Sequence, residues 1–414
     1  MLRHIAPILL AAIALAACQT APHPVTPPAG GTGPGPATGG QIPGIVTPLP
    51  ASTPASYLDL PGWSAATLAP PLEAFRRTCD RFTRRAWDAP LSQSAPWAGT
   101  AQDWAPACAS LSGPLDETAA RRVFESLFVP VEIVDPQAKP RFTGYFEPMY
   151  EARRTPEPGF TEPVLALPSD FVANGGSPLQ RLPNGTTRPY PPRADITSSI
   201  TAPVIGWAHP SDVFFLQVQG SGRLIFPDGH TMRAAYAAHN GQPFKSVANW
   251  LIETGRITRS EGSMQGIRAW MDRASADDVR RAMNINPRFV FFQALPEGDP
   301  GLGPNGAHNV PLTPFGSMAV DPSIHALGVP MFVQTTAPGL GGEWSGLLIA
   351  QDTGGAIKGP VRGDIYFGTG FEAGQRAGTM NAPGRLWVLL PRKVAERLYS
   401  NGPSAALEPA SRAG

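Results

Sequence analysis

The sequence predicts a mainly β protein in which one β domain is interrupted by a second, inserted domain. Two strand-rich segments, at about residues 131–152 and 287–392, flank a middle block of different character. Short β-branched and aromatic runs bounded by turn residues are typical of strands. The 44 glycines and 49 prolines also fit a turn-rich β protein better than a helical bundle. A groove between the two domains is the expected ligand site.

The N-terminal residues predict export and a lipid anchor. An apolar run over residues 5–17 is too short to span a bilayer as a mature helix. It ends in Leu15-Ala16-Ala17-Cys18, which resembles a bacterial lipobox, so residues 1–18 are expected to be a lipoprotein signal peptide that leaves Cys18 lipidated. Gln19 implies, by resemblance to lipoprotein sorting signals, the outer membrane and a protein facing the periplasm. The alternative is an ordinary secretory signal with an incidental cysteine.

Residues 19–56 are predicted to form a disordered tether, because they contain no Asp, Glu, Lys or Arg and are dense in Pro, Gly, Thr and Ala. Such a tether typically reaches about 35 Å. Residues 57–150 and 287–400 are assigned to a discontinuous catalytic β domain. Residues 151–286 are assigned to the inserted substrate-groove domain, and residues 401–414 to a flexible tail.

The secondary structure follows from periodicity and caps. Asp116 and Ser275 are expected to be helix N-caps. A glycine-containing loop at residues 220–222 suggests a hairpin whose first strand is 214–219. Helices are predicted at 71–87, 116–128, 244–257, 263–274 and 275–284, and further strands at 131–134, 141–152, 223–226, 288–293, 331–335, 347–350, 364–367 and 386–390.

Composition excludes several function classes. The 33 basic and 32 acidic residues give a net charge of +1, which argues against a nucleic-acid binder. The chain contains no Walker loop, no zinc-protease or Cys-x-x-Cys motif and no nucleophile elbow, so neither a metal nor a cofactor is expected. Cys79 and Cys108 are either a disulfide, which an oxidising periplasm permits, or two separate thiols.

Aspartates in the C-terminal segment are the candidate chemistry. Asp352-Thr353-Gly354-Gly355 puts a carboxylate beside backbone that lacks Cβ atoms, which lets a bulky polymer approach. Taken alone, this is an ordinary turn. Asp321, Asp352 and Asp364 together, however, resemble the "3D" signature, which is named for three aspartates and is found on double-psi β-barrels that act on polysaccharides.

Further motifs, in order from about residue 140 to 390, resemble one family. They include Gln219-Gly220-Ser221-Gly222 and residues 263–268, 286–292 and 370–378, after the first motif, Phe142-Thr143-Gly144-Tyr145-Phe146-Glu147-Pro148. With the three aspartates, these are similar to the lytic murein transglycosylase A family. The resemblance implies a double-psi β-barrel with an inserted β-containing domain. It also implies cleavage of peptidoglycan glycan strands between N-acetylmuramic acid and N-acetylglucosamine, with formation of 1,6-anhydromuramic acid ends.

The resemblance also implies residue roles. Asp364 is expected to be the acid and Asp352 its close partner, with Asp352 as the acid left open as the alternative. Independently of the resemblance, Asp321 is expected to cap a loop and to have a supporting role. The family usually has threonine where this chain has Glu147, so a sugar contact there is expected to change if that threonine makes one. The candidate substrate-binding residues are Gly144, Tyr145, Phe146, Gln219, Ser221, Gln265, Gly354, Gly355, Lys358, Tyr366 and Arg376.

Two other functions stay open at this point. One is a non-catalytic wall-binding module of the expansin-like kind, which has no use for a protonated acid. The other is a hydrolase on the same barrel, which needs a second carboxylate about 6.5–9.5 Å away to activate water. The expected partners are glycan strands, outer-membrane lipid through Cys18 and, as candidates, cell-wall synthesis enzymes.

Overall fold

The computed structural model describes residues 52–137, 139–175, 177–196 and 202–399. The predicted signal peptide with Cys18, most of the predicted tether and the predicted tail lie outside these residues. The described chain divides into two compact units. One, here called the sheet unit, comprises residues 52–145, Gly301–Gly368 and residues 379–399. The other, the insert unit, comprises Phe146–Pro300 and Thr369–Gly378.

Helices and strands alternate irregularly along the described residues. The helices there are α1 (Ala69–Phe82), α2 (Ala101–Leu111), α3 (Glu117–Leu127), α4 (Arg193–Ile196), α5 (Pro210–Gln219), α6 (Val247–Glu253), α7 (Met264–Arg273), α8 (Ala276–Ile285), α9 (Phe371–Ala377) and α10 (Arg392–Tyr399). The strands there are β1 (Ser52–Pro54), β2 (Phe128–Ile133), β3 (Arg141–Glu147), β4 (Met149–Glu151), β5 (Glu162–Leu165), β6 (Phe171–Val172), β7 (Leu179–Arg181), β8 (Thr187–Pro189), β9 (Val204–Ala208), β10 (Gly222–Ile225), β11 (Thr231–His239), β12 (Val290–Pro296), β13 (Ser317–Val320), β14 (Pro330–Ala337), β15 (Gly342–Thr353), β16 (Arg362–Thr369), β17 (Asn381–Ala382) and β18 (Gly384–Pro391).

The sheet unit is built on nine strands in the order β1-β2-β18-β14-β15-β13-β16-β3-β17. Several neighbours, such as β14 with β15 and β18, are antiparallel, whereas β13 and β15 are parallel. Within the described residues, no strand pairing closes this order into a barrel. The predicted mainly β class is confirmed.

Helices α1 to α3 cover part of this sheet. Phe75 of α1 meets Trp104 of α2 and Phe128 of β2, with ring centroids 6.3 and 6.1 Å away, and all three side chains are buried. Cys79 and Cys108 form a disulfide between α1 and α2, which decides between the two alternatives that the sequence left open. Aromatic packing and one covalent link therefore hold the helical layer.

Within its described residues, the insert unit contains three small sheets and the helices α4 to α9. Four strands pair in the order β12-β11-β10-β4, two pair as β5-β9 and three as β6-β7-β8. One hydrophobic cluster joins α5 to α6, α7 and α8, and it includes Phe215, Leu251 and Trp270. The helices thus bury their apolar faces against one another.

The predicted strand over residues 214–219 is wrong, because these residues belong to α5. The side chain of His209 accepts a hydrogen bond from the Ser211 N–H, Pro210 occupies the first turn, and Gly220 ends the helix with φ of 84°. Most of α5 is buried. Its apolar run therefore lacks helical periodicity, and such a short run cannot be distinguished from a strand by pattern. Strand β10 instead pairs with β11.

Element boundaries differ at several other points. Strand β1 lies inside the predicted tether, because Thr53 pairs with Glu132 of β2. Helix α2 was not predicted, since Pro106 interrupts its sequence pattern. The insert unit extends beyond the predicted 151–286 and includes Thr369–Gly378. The Gly370 N–H donates to the Glu147 carbonyl over 2.8 Å, which holds this distant segment to the unit.

Other local predictions are confirmed. Asp116 caps α3 by accepting from the Ala119 N–H over 2.7 Å, and Ser275 caps α8 by accepting from the Asp278 N–H over 3.2 Å. The predicted strands at 331–335, 347–350, 364–367 and 386–390 lie within β14, β15, β16 and β18. Among the described residues, no helix is long and apolar enough to cross a membrane.

Candidate active site

Asp352 and Asp364 are brought together by strand register. Ala319 of β13 is the Cα partner of Asp352 in β15 on one side and of Asp364 in β16 on the other. Paired residues point to the same face of a sheet, and adjacent strands lie about 4.8 Å apart. The two carboxylates, both at most 3% exposed, therefore share one face across a single intervening strand.

Strand β3 supplies a hydroxyl to each carboxylate. Thr143 Oγ1 lies 2.6 Å from Asp364 Oδ1, and the Tyr145 hydroxyl donates to Asp352 Oδ2 over 2.9 Å. Residues two apart on a strand share a face. One face of β3 thus contributes a hydrogen-bonding hydroxyl to each of the two aspartates.

Asp352 is held through both of its oxygens. In addition to Tyr145 on Oδ2, the Ala307 N–H donates to Oδ1 over 2.9 Å. Burial raises the pKa of Asp352 to about 6, and the charge of Asp364 adds to the rise. Hydrogen bonds from Ala307, Thr353 and Tyr145 act in the opposite direction. Asp352 is therefore a carboxyl group that titrates near neutrality.

The raised pKa of Asp352 predicts a pH-dependent stability. An unfolded aspartate titrates near 3.9, so the folded protein binds more protons at this site between about pH 4 and 6. The resulting stabilisation is fully present below pH 4 and is lost as pH rises through 6. We expect Asp352→Asn to gain about 2 kcal/mol relative to the parent protein between pH 4 and pH 7.5. Urea unfolding of both proteins at the two pH values measures this difference.

Asp321→Asn is the matched control for this measurement. Although burial alone would raise the pKa of Asp321, hydrogen bonds from Ser323, Gly359 and Lys358 lower it. Its asparagine variant is therefore not expected to gain stability as pH rises. An unchanged difference between Asp352→Asn and the parent protein at both pH values would contradict the assignment.

Asp321 itself caps a loop. Its Oδ1 accepts from the Ser323 N–H and hydroxyl over 3.1 and 2.7 Å, and its Oδ2 accepts from the Gly359 N–H over 3.0 Å. The exposed Lys358 ammonium lies 3.3 Å from Oδ1. These contacts hold the loop at Lys358 and Gly359, which follows Asp352 in the sequence.

Six of the predicted substrate-binding residues lie in the sheet unit. Tyr145 and Tyr366 are buried, with ring centroids 5.2 Å apart. Gly144 is half-buried on β3, Gly354 is buried, and Gly355 is exposed beside Asp352. Lys358 pairs with Asp321. Only some of these residues thus present a surface to a ligand.

The other five lie in the insert unit, where one pocket collects two of them. Phe146 and Gln265 line this pocket, together with Tyr150, Phe215, Phe371 and the Asp212–Arg268 ion pair. Its volume of about 720 Å³ includes space open to solvent. Gln219, Ser221 and the exposed Arg376 are not part of its lining.

No group of three or more His, Cys, Asp or Glu side chains within the described residues could hold a metal ion.

Two family models match the chain. One, described as the MltA specific insert domain, matches residues 141–293, and the other, described as the 3D domain, matches residues 316–390. The membrane-bound lytic murein transglycosylase A of Escherichia coli strain K12 is 34% identical over 279 residues, which are 65% of this chain and 71% of that protein. The chain belongs to the MltA family.

Solved structures of lytic murein transglycosylases are similar to this chain over most of its length. The membrane-bound lytic murein transglycosylase from Agrobacterium tumefaciens has a TM-score of 0.72 and 30% identity, over 84% of this chain and all of that chain. The E. coli MltA with bound chitohexaose has a TM-score of 0.57 and 26% identity, over 84% of this chain and 95% of that chain.

The side chain of Glu147 lies in a buried ion cluster within the insert unit. It accepts from Arg223 Nε over 2.9 Å, from Arg233 Nε over 2.6 Å and from the Thr369 hydroxyl over 3.0 Å. Arg223 also donates to Glu297 over 2.7 Å. Because the Glu147 side chain is fully buried, a direct sugar contact is excluded at this position.

Three residues of the site were not assigned roles from the MltA motifs: Thr143, Arg362 and Ala307. Arg362 Nη2 donates to Thr143 Oγ1 over 2.9 Å, which connects it to Asp364. The signal for Thr143 is the alternation of Thr143, Tyr145 and Glu147, which puts three polar groups on one face of β3. Ala307 acts through its backbone, for which a side-chain motif gives no signal.

Proposed function

We propose that this protein is a lytic transglycosylase that cleaves the β-1,4 bond between N-acetylmuramic acid and N-acetylglucosamine in peptidoglycan. The observation that carries the proposal is the pair of buried carboxylates, Asp352 and Asp364, on either side of Ala319 in a chain of the MltA family. Such a pair suits glycosidic bond cleavage, which needs an acid for the leaving oxygen and stabilisation of an oxocarbenium-like state.

Asp364 is the proposed proton donor. The glycosidic oxygen takes the proton as the bond to C1 of the muramic residue breaks, and the bonding electrons stay on that oxygen. The C6 hydroxyl of the same residue then bonds to C1 and returns its proton to Asp364, which gives the 1,6-anhydro product. One carboxyl group thus acts first as acid and then as base. The nucleophile is intramolecular, so no positioned water is needed.

Asp352 is the proposed electrostatic and orienting partner. Because both of its oxygens already accept hydrogen bonds from the protein, it is less suited to hand over a proton. With a pKa of about 6 it is mostly ionised at neutral pH. A carboxylate in that position stabilises the developing positive charge on the sugar.

We also propose which residues contact the glycan. E. coli MltA has been crystallised with bound chitohexaose, and we extend glycan binding to this chain. Phe146 and Gln265 offer an apolar wall and an amide within one pocket. Gly355 is exposed beside Asp352. The remaining candidates are Gly144, Tyr145, Gln219, Ser221, Gly354, Lys358, Tyr366 and Arg376.

The double-psi β-barrel is proposed for the sheet unit. The parallel pairing of β13 with β15 among largely antiparallel neighbours and the match to the 3D domain support it. A crystal structure tests this proposal. Backbone hydrogen bonds that close the sheet into a barrel would support it, and an open sheet would contradict it.

A lipid anchor in the outer membrane is proposed for the N-terminus. The resemblance of Leu15-Ala16-Ala17-Cys18 to a lipobox and the words "membrane-bound" in the name of the E. coli relative support this. The anchor would hold the chain at the periplasmic face, where cell-wall synthesis enzymes are candidate partners.

Digestion of purified murein sacculi tests the reaction. We expect release of 1,6-anhydromuropeptides, identified by mass, because the C6 hydroxyl replaces water. Reducing ends would instead indicate a hydrolase, and an absence of soluble products would indicate a wall-binding protein. Either reducing ends or an absence of soluble products would overturn the proposal. A parallel digest with lysozyme provides the reference for reducing ends.

A further inference from the structure

We propose that Thr143 and Arg362 are positioning residues for Asp364, forming a hydrogen-bond chain that runs in one direction from the guanidinium to the carboxyl group. The inference rests on the proposed function, in which Asp364 is the acid. Arg362 Nη2 lies 2.9 Å from Thr143 Oγ1, and Thr143 Oγ1 lies 2.6 Å from Asp364 Oδ1.

The direction of the chain follows from the donors available. A guanidinium can only donate, so Thr143 Oγ1 is the acceptor of the Arg362 hydrogen bond. The threonine hydroxyl carries one hydrogen, and that hydrogen is then directed at Asp364 Oδ1. The 2.6 Å separation lies in the range of hydrogen bonds between a hydroxyl and a carboxyl oxygen, about 2.5–3.0 Å.

The chain is held by its surroundings. Arg362 is buried and also donates to the carbonyls of Gly363 and Arg141. Thr143 is buried and β-branched, which limits its χ1 rotamers. Strands β3 and β16 are neighbours in the sheet, so backbone pairing fixes both ends of the chain.

This arrangement serves the acid step. When the proton leaves Asp364 for the glycosidic oxygen, a full negative charge forms on the carboxylate. A donor that is already aimed at Oδ1 stabilises that charge without reorganisation, and the Arg362 cation polarises the donor. The same hydrogen bond holds the plane of the carboxyl group, which the return of the proton from the C6 hydroxyl also requires.

The test compares Thr143→Val with Thr143→Ser in the full-length protein, using soluble glycan strands as the substrate. Valine keeps the shape but removes the hydroxyl, whereas serine keeps the hydroxyl but removes a methyl group. We expect Thr143→Val to lose about a hundredfold in kcat with KM unchanged, which is the lower range for removal of one preorganised donor. Thr143→Ser is expected to stay close to the parent protein.

A purely structural role predicts that any loss of activity follows the loss of stability, because valine leaves the buried Arg362 donor unpaired and serine leaves a small cavity. Thermal unfolding of each variant checks that the protein assayed is folded. If Thr143→Val does not fold, Thr143→Ala takes its place, and the same loss in kcat is expected. Equal losses for the valine and serine variants, or full activity without the hydroxyl, would overturn the inference.

The two proposals fail in distinguishable ways. If the parent protein releases no 1,6-anhydro product, the proposed function is wrong. If the parent protein releases it and Thr143→Val releases it at the same rate, only the positioning role is wrong.

Discussion

Asp364→Asn is expected to reduce the release of 1,6-anhydromuropeptides by about a thousandfold, within the range of about 10²–10⁴ for general acid–base catalysis. Asparagine keeps the size of the side chain but has no acidic proton to give to the glycosidic oxygen. The Thr143 hydroxyl can still donate to the amide oxygen, so the fold of the site is expected to persist. Mass analysis of products from a sacculus digest measures the effect.

Asp321→Asn is the matched control, because it makes the same change at the third aspartate of the signature. Asp321 caps the loop through Ser323 and Gly359 and has no contact with Asp364 among its hydrogen bonds. Assayed well below its unfolding temperature, this variant is expected to release the same anhydro products as the parent protein. Full activity of Asp364→Asn would show that another group is the acid while leaving the family assignment intact.

Glu147→Gln is expected to destabilise the protein by about 3–5 kcal/mol, because removal of one partner leaves a buried charge uncompensated. Arg223 and Arg233 both donate to this single carboxylate, and the Arg223 side chain is only 3% exposed. A neutral amide can accept from one of them but can no longer balance their charge. Urea unfolding at neutral pH gives the free energy of unfolding for both proteins.

Glu132→Gln provides the comparison for this measurement. Glu132 also accepts two hydrogen bonds from one arginine, Arg385, over 2.8 and 2.9 Å, but this pair lies at the surface. Exposed ion pairs contribute only about 0–1 kcal/mol. A loss at Glu147 no larger than the loss at Glu132 would show that solvent reaches the cluster or that the arginines find other partners.

Local chemistry made much of the secondary structure predictable. The caps at Asp116 and Ser275 and the strand that contains Asp364 depend on neighbours in the sequence and lie where they were predicted. The predicted strand at 347–350 ends before Asp352, which the structure has within β15 and not in a turn. Helix α5 was missed because its decisive signals, His209 and Pro210 before it and Gly220 after it, were outweighed by a continuous apolar run. Burial on most sides removes the periodicity that identifies a helix.

The site was predictable only in part. The aspartates were found by their resemblance to a known signature. The pairing of both Asp352 and Asp364 with Ala319, however, depends on the register of three separate strands. Register follows from long-range pairing, which the local sequence does not specify. The same holds for Thr143, whose hydroxyl reaches a carboxylate 221 positions away. The ion cluster of Glu147 was not predicted, because its partners Arg223 and Arg233 come from strands that lie far along the chain.

The position of Ala319 between Asp352 and Asp364 fixes the distance between the two aspartates. Since β15, β13 and β16 are joined by backbone hydrogen bonds, the separation of the Asp352 and Asp364 backbones is set at about two strand spacings, roughly 10 Å. The spacing of the two carboxylates therefore does not depend on the movement of a loop. The intervening methyl group is the smallest side chain that an L-residue can offer there. The geometry of the proposed catalytic pair is thus a property of the sheet backbone.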